Sequence, residues 1–494
     1  MDVLLKIVQT VNSYLTDYVL IFLLIGAGLY FTIRTRFVQV RCFGEGMKQV
    51  FGGLSLKGGK QKSGLSSFQA LATAIAAQVG TGNIVGACGA ILIGGPGAIF
   101  WMWVIAFLGM ATIYAEAVLA QKTRVIDADG NVQGGPVYYI KKAIPNGFGK
   151  FLSVFFSVAA ILALGFMGSM VQSNSIAGTA GAAIGMSTGL YWIIGLLIAL
   201  IAGVIFLGGV DRLAAVTEKI VPLMALLYIV GSLVVIFARV AYIPESFGMI
   251  FKYAFNGSAL IGGGIGYALK SAISQGAKRG LFSNEAGMGS TPHAHAQANV
   301  KTPHEQGVSA MIGVFIDTFI VLTMTALVVI STLYAGDGVL GNALSYNRAQ
   351  GGLLSAVAEN FPKANLAQMA FGKVFGETFG NIFVAVCLFF FAFSTILGWN
   401  FFGKINVQYL FGKKALPIYS IIAVGFVFLG SIFQDDLVWE LTDFFNYLMV
   451  LPNVIALVAL GGMVARSAKT RGACDLPKIE GDAAAEAENA PEEQ

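Results

Sequence analysis

Three sets of residues in this chain could do chemistry in an otherwise apolar setting. Gly80, Thr81, Gly82 and Asn83 interrupt the run SSFQALATAIAAQVGTGNIVGACGAILIGG, with Gly86 and Gly89 close behind. Asp317 sits in GVFIDTFIVL, and Ser394 and Thr395 sit in FFFAFSTILGWN. None of these sets holds a nucleophile–base pair. What they offer is oxygen coordination and hydrogen bonding. Glycine is costly inside a helix, and asparagine competes for backbone hydrogen bonds. A helix broken at such a place presents free carbonyls to a cation and a half-helix N-terminus to a carboxylate. Close helix packing alone would also account for the glycines, but not for Asn83. A carboxylate in an apolar run is expensive, so Asp317 is either functional or half of a buried ion pair, with Lys270 as one partner. Glu116 leaves the same two options, and its position nearer a span end favours a structural role.

The elements that must position these residues are membrane helices. The chain has 494 residues, 56% hydrophobic and only 12% charged, where soluble domains carry roughly 25% charged residues. The apolar residues come in runs near the roughly 20 residues that cross a bilayer as a helix. They are continuous rather than alternating, which argues against a β-barrel. We read an all-α polytopic membrane protein with about eleven spans, near 17–34, 65–92, 97–121, 149–172, 189–210, 214–239, 259–284, 307–335, 380–402, 415–433 and 439–465. Alternating the spans places most of the 31 Lys and Arg on one side, including Arg34, Lys57, Lys122, Arg124, Lys404, Lys413 and Arg466, with Lys278, Arg279 and Lys301 counted there too. The basic side is the cytoplasmic one, so the N-terminus is expected outside and the C-terminus inside. These charges lie between spans and do not point to nucleic acid.

Residues 1–478 read as one transmembrane domain. Residues 479–494, GDAAAEAENAPEEQ with the two residues before it, read as a disordered acidic tail. The outside loop from Gly336 to Gly380 is expected to carry a short helix over the site. The start of the chain lacks the pattern of a cleavable signal peptide. Cys42, Cys88, Cys387 and Cys474 show no paired spacing, so neither a disulfide framework nor a zinc site is expected. His293, His295 and His304 cluster in one polar stretch, read as a solvated loop in preference to a metal site.

A second span is also irregular. The seventh reads GGGIGYALKSAISQGAKRGLFSNEAGMGS, with Gly276, Gly280, Gly287 and Gly289 and with Ser283, Asn284 and Glu285. Each broken span opens a run of five, spans 2–6 and 7–11. Five is odd, so the two runs enter the membrane with opposite polarity. Broken helices at matching places in two inverted halves point to a secondary transporter. The repeats would cover about 65–239 and 259–465, with the first span outside them. A channel or an enzyme is disfavoured, because no pore-loop repeat, charged ring or catalytic constellation is present.

The stretch GGPGAIFWMWVIAFLG, from Gly94 to Gly109, resembles the signature of the alanine or glycine:cation symporter family. QVGTGN and FSNEAGMGSTP are similar to that family as well. The resemblance covers about Ser66 to Leu460. It implies a LeuT-type 5+5 inverted-repeat core, sodium as the coupling ion with no further cofactor, alanine or glycine as cargo, and a bacterial or archaeal plasma membrane. It further implies a sodium site made by the carbonyls of Ala76, Val79 and Phe391 and the hydroxyls of Ser394 and Thr395. Such an all-oxygen set suits a hard cation. A second sodium, if present, would use Asn83 and Asp317. Interhelical glue remains open for the hydroxyls.

A zwitterionic amino acid needs donors for its carboxylate and acceptors for its ammonium. The main chain around Thr81, Gly82 and Asn83, with the Thr81 hydroxyl, is expected to serve the carboxylate. Gln172 and Asn174 of VQSNS would add polar contacts, and the second break would add oxygens near Ser283 or Asn284. Trp399 lies four residues after Thr395 and so shares its helix face. A ring there would limit the cargo to small side chains. An alternative is a proton-coupled transporter, or one for another solute, with Asp317 or Glu116 carrying the proton.

Overall fold

The computed structural model describes residues 2–52, 65–127, 131–255, 265–341, 363–433 and 435–471. Among the described residues, nine helices are long and apolar enough to cross a membrane. They are Val3–Arg34, Gly97–Thr123, Gly147–Ala183, Thr188–Phe206, Arg212–Ala238, Pro303–Tyr334, Glu377–Phe411, Lys413–Gly430 and Asp436–Ala459. The pair Ser67–Gln78 and Gly82–Gly94, bent by 46°, adds a tenth span. Ile265–Asn284 stands in the place of the seventh. Its Lys270, Lys278 and Arg279 lower its mean hydropathy. It nonetheless packs on Gly97–Thr123 and Ala87–Gly94 in the interior. The order therefore follows the expected eleven, while several helices run past the predicted ends: the first begins at Val3 and the fourth reaches Ala183. Hydropathy sees only the hydrocarbon-depth part of a helix, and polar turns extend it at either end.

Burial separates two layers. The third, fourth, eighth, ninth and eleventh spans are mostly buried inside the protein, whereas the fifth, sixth and tenth are not. Leu197, Leu200, Val204, Leu226, Ile418 and Ile421 of that second group are exposed. Helices that are apolar all round and still expose Leu and Ile are facing lipid, where only intra-helix hydrogen bonding satisfies the backbone. The ninth span, packed on the second, fourth and sixth, is the central strut.

Short strands fix the ends of the broken spans. Leu65 and Ser66 pair in parallel with Ala298 and Asn299. Ser66 then caps Ser67–Gln78 through a reciprocal capping box with Gln69, which satisfies two of the helix's otherwise unpaired N–H groups.

Three expectations change here. The seventh span does not stop at Asn284. Residues 285–291 form a non-helical break with positive φ at Glu285, Gly287 and Gly289, and a short helix, Pro292–Ala296, resumes beyond it. His293, His295 and His304 are consequently buried, not solvated. His293 stacks between Phe156 and Phe402 and meets the Asn406 amide at 2.9 Å. Lys278 and Arg279 are not loop charges either. They lie two turns before the break and pair with Asp443 of the eleventh span at 2.9 and 3.3 Å. The loop after the eighth span does carry a helix, Lys363–Phe375. The acidic tail lies outside the described residues.

Candidate functional site

The second span loses its helix at Val79, where φ is −82° and ψ is 84°. Gly80 N–H then bonds back to Gln78 O, and the chain re-enters a wide helical turn at Gly82–Gly86. Asn83 makes the break definite. Its Oδ1 accepts from Gly80 N–H at 3.1 Å, and its Nδ2 donates to Asp317 Oδ1 and to the Asp317 carbonyl. Asp317 sits on a widened turn, Phe315–Leu322, of the eighth span. It also accepts from Ser283 Oγ at 2.9 Å and Thr318 Oγ1 at 2.8 Å. One buried carboxylate therefore ties the first break, the end of the seventh helix and the eighth span together. Lys270 is not its partner; that lysine pairs with Asp17 at 2.7 Å. Among the described residues, no Lys or Arg pairs with Asp317.

The two breaks meet. Gln78 Nε2 donates to the Asn284 carbonyl at 2.8 Å. A Cβ on Gly82 would stand 3.0 Å from Ser283 Cα, a tighter contact than side chains usually make, so glycine eases this approach. The same holds toward the ninth span. A Cβ on Gly80 would overlap Thr395 Oγ1 and come within 3.2 Å of Gln172 Oε1. Thr395 Oγ1 is 2.9 Å from Ala76 O, 3.2 Å from Ala77 O and 3.1 Å from Phe391 O. Ser394 Oγ is 3.3 Å from Ala76 O and 2.9 Å from Phe391 O. Carbonyls of the broken helix and hydroxyls of the ninth span thus converge as an all-oxygen set.

On the other flank of Gly80, Thr81 N–H donates to Gln172 Oε1 at 3.1 Å. The remaining polar atoms of this pair, Thr81 Oγ1 and Gln172 Nε2, are buried and have no partner among the described residues. Buried polar groups are ordinarily paired, and these two stand at a broken helix, which makes them candidates to face a ligand. Trp399 closes this flank. Its ring packs where Gly168 has no side chain, since a Cβ there would overlap the indole. Gly168 and Gln172 are one turn apart on the fourth span, as Thr395 and Trp399 are on the ninth, so each pair shares a face.

The sequence model described as the sodium:alanine symporter family matches residues 1–473. The chain belongs to that family. A sodium/alanine symporter of Methanococcus maripaludis, AgcS, is 39% identical over 466 residues, which is 94% of this chain and 96% of that one. A putative sodium/proton-dependent alanine carrier of Bacillus subtilis, YrbD, is 39% identical over 92% of this chain and 89% of its own length. A probable sodium/glutamine symporter of the same organism, GlnT, is 36% identical over 94% of this chain and 90% of its own. Among solved structures, MhsT in complex with L-phenylalanine matches with a TM-score of 0.51 and 16% identity, over 83% of this chain and 90% of that one. The fold is thus of the LeuT type, and the protein is a multi-pass membrane transporter, not an enzyme.

In this symporter-family chain, most of the sequence-predicted site residues come together. Thr81, Gly82, Asn83, Gln172, Ser283, Asn284 and Asp317 gather at the two breaks, and Ala76, Phe391, Ser394 and Thr395 form the oxygen set beside them. Asn174 does not join them. Its amide donates to Gly430 O and Phe433 O, capping the C-terminal end of the tenth span. Ser283 and Asn284 spend their side chains on Asp317, Thr318 and Ala286 N–H.

Two carboxylates meet at the second break: Glu285, which the sequence reading places in the broken span but gives no role in the site, and Glu116 of the third span, whose role it leaves open. Glu285, fully buried with φ of 58°, accepts from Trp399 Nε1 at 2.5 Å and from the Ser290 hydroxyl. The signal was present in SNEAG, a charged residue inside a broken span. Glu116 accepts from Gly287 N–H at 3.1 Å, Gly289 N–H at 3.0 Å and Asn453 Nδ2 at 2.7 Å. It supplies the acceptors that an unwound backbone needs in a dry interior.

Proposed function

We propose that the chain imports a small neutral amino acid, alanine or glycine, with sodium, by alternating access. The observation that carries this reading is the pair of buried polar atoms, Thr81 Oγ1 and Gln172 Nε2, at the Gly80–Asn83 break, which have no partner among the described residues. Both can donate to a carboxylate. The names of the relatives, alanine carriers and one glutamine symporter, agree with an amino acid as cargo. Size favours the small end of that range, because the Trp399 ring fills the space beside Gly168.

Sodium would bind among Ala76 O, Val79 O, Phe391 O, Ser394 Oγ and Thr395 Oγ1, where oxygens alone are offered. Gly80 stands between Thr395 on the ion side and Gln172 on the cargo side. An ion that orders residues 76–80 therefore also orders the Thr81 N–H and hydroxyl. Each ligand then raises the affinity for the other. A second sodium would take Asp317, a buried carboxylate with no basic partner among the described residues, and Asn83. The basic side chains between spans favour an outside N-terminus and a cytoplasmic C-terminus, and residues 65–239 and 259–465 would be the two inverted repeats.

One observation favours a second reading, coupling to protons. Asp317, Glu285 and Glu116 are all buried carboxylates held by neutral donors. The experiment is uptake of labelled alanine and glycine into proteoliposomes under imposed sodium, potassium or proton gradients. Accumulation driven by sodium alone supports the proposal. Accumulation driven by protons without sodium overturns it.

A further inference from the structure

One cysteine and one histidine meet a carboxylate away from the transport site. The Cys42 thiol, a Glu45 carboxylate oxygen and a His304 ring nitrogen lie within 4.8 Å of one another. Cys42 and His304 are buried, and Glu45 sits at the water-facing rim. None of the three touches the breaks or the oxygen set.

We propose that Cys42, Glu45 and His304 form a binding site for a thiophilic divalent cation of the zinc class, open to water at its fourth position. Thiolate, imidazole and carboxylate are the donors such ions take, at about 2.0 to 2.3 Å, in tetrahedral geometry. That geometry separates ligand atoms by about 3.5 Å. His304 Nε2 and Glu45 Oε2 are already 3.1 Å apart. Cys42 immediately precedes the helix Phe43–Phe51, and Glu45 is in its first turn. Their spacing of three puts thiol and carboxylate on one face. His304 is in the first turn of the eighth span.

The surroundings are those of a built site. The other ring nitrogen, Nδ1, is 2.7 Å from the hydroxyl of buried Tyr114 on the third span. A partner on that nitrogen orients the ring and aims Nε2 at the cluster, as outer-shell partners of ligating histidines do. The carboxylate is oriented in the same way, because its other oxygen, Oε1, pairs with Arg471. Glu45 thus keeps Oε2 for a cation while Arg471 neutralises it when none is bound. Position gives the site a consequence. Phe43–Phe51 already lies tight on the eighth span, where a Cβ on Gly46 would meet the Val308 carbonyl at 2.9 Å. A bound cation would staple that helix to the head of the span that carries Asp317, and so brake any movement between them.

The test uses the full-length protein, purified in detergent, stripped of metal and carrying Cys474→Ser to remove the other thiol outside the spans. Equilibrium dialysis against Cd2+ and Zn2+ measures stoichiometry, and the cadmium–thiolate charge-transfer absorption reports the ligand. We expect one ion per chain with that absorption. Cys42→Ser should abolish it, His304→Gln and Glu45→Gln should each weaken binding by about tenfold or more, and Tyr114→Phe by about tenfold. Uptake of alanine by Cys42→Ser should match that of the parent, which separates lost binding from lost folding. Glu45→Gln, at the exposed rim, carries the same test without touching the core. Far less than one ion per chain, or a charge-transfer band that survives Cys42→Ser, would overturn the proposal and leave an ordinary His–carboxylate contact beside a buried thiol.

Discussion

A single methyl group placed at Gly80 should separate the ion-binding from the folding role of the first break. In Gly80→Ala the new carbon overlaps Thr395 Oγ1 and stands 3.1 Å from Thr395 Cβ and 3.2 Å from Gln172 Oε1. The threonine must rotate or the two spans must part. Thr395 has one hydroxyl proton, shared among three carbonyls, so the lost hydrogen bond costs about 1 kcal/mol. Overpacking adds about 1–3 kcal/mol. If about 1.4 kcal/mol of this total falls on the ion site, the sodium concentration for half-maximal uptake rises about tenfold. The assay is sodium-dependent alanine uptake in proteoliposomes, beside the melting temperature of the purified protein. Gly26→Ala is the control, since its Cβ would meet nothing within 4 Å. A folded Gly80→Ala protein with the parent's sodium dependence would refute the assignment of Thr395 to the ion.

Three further variants probe the remaining parts. Ser394→Ala with Thr395→Ala removes both hydroxyls of the oxygen set and should demand far more sodium; unchanged sodium dependence in uptake assays would remove that site. Trp399→Phe deletes the indole N–H that reaches Glu285 and shrinks the ring beside Gly168, so serine, valine and leucine should compete better against labelled alanine, and an unchanged competition profile would take Trp399 out of the cargo site. Glu116→Gln leaves one of the Gly287 and Gly289 N–H groups facing a donor; an unsatisfied buried group costs about 1–3 kcal/mol, seen as a lower melting temperature, with the sodium dependence of the surviving uptake unaltered.

The spans were legible because bilayer thickness imposes a length and an apolarity that any sequence window reports. The break at Gly80–Asn83 was legible because glycine and asparagine violate helix rules locally. The seventh span was harder. Its glycines mark the break, but Lys278 and Arg279 count with the charges between spans in a linear window, because their partner Asp443 lies far along the chain on the eleventh span. The histidines were misplaced for the same reason. Polar residues buried by tertiary packing look, in a linear window, like residues facing water.

By itself, the sequence determined that this is a helical membrane transporter broken at two matching places, since composition, run length and local backbone propensity need no neighbours to be read. Only the tertiary structure decided which polar residues serve which break. It sent Gln172 to Thr81 and Asn174 to the end of the tenth span. It gave Asp317 two breaks to hold, and Glu116 and Glu285 the second. Hydrogen bonds in a dry interior are settled by which helix faces meet, and that is a property of the packed bundle.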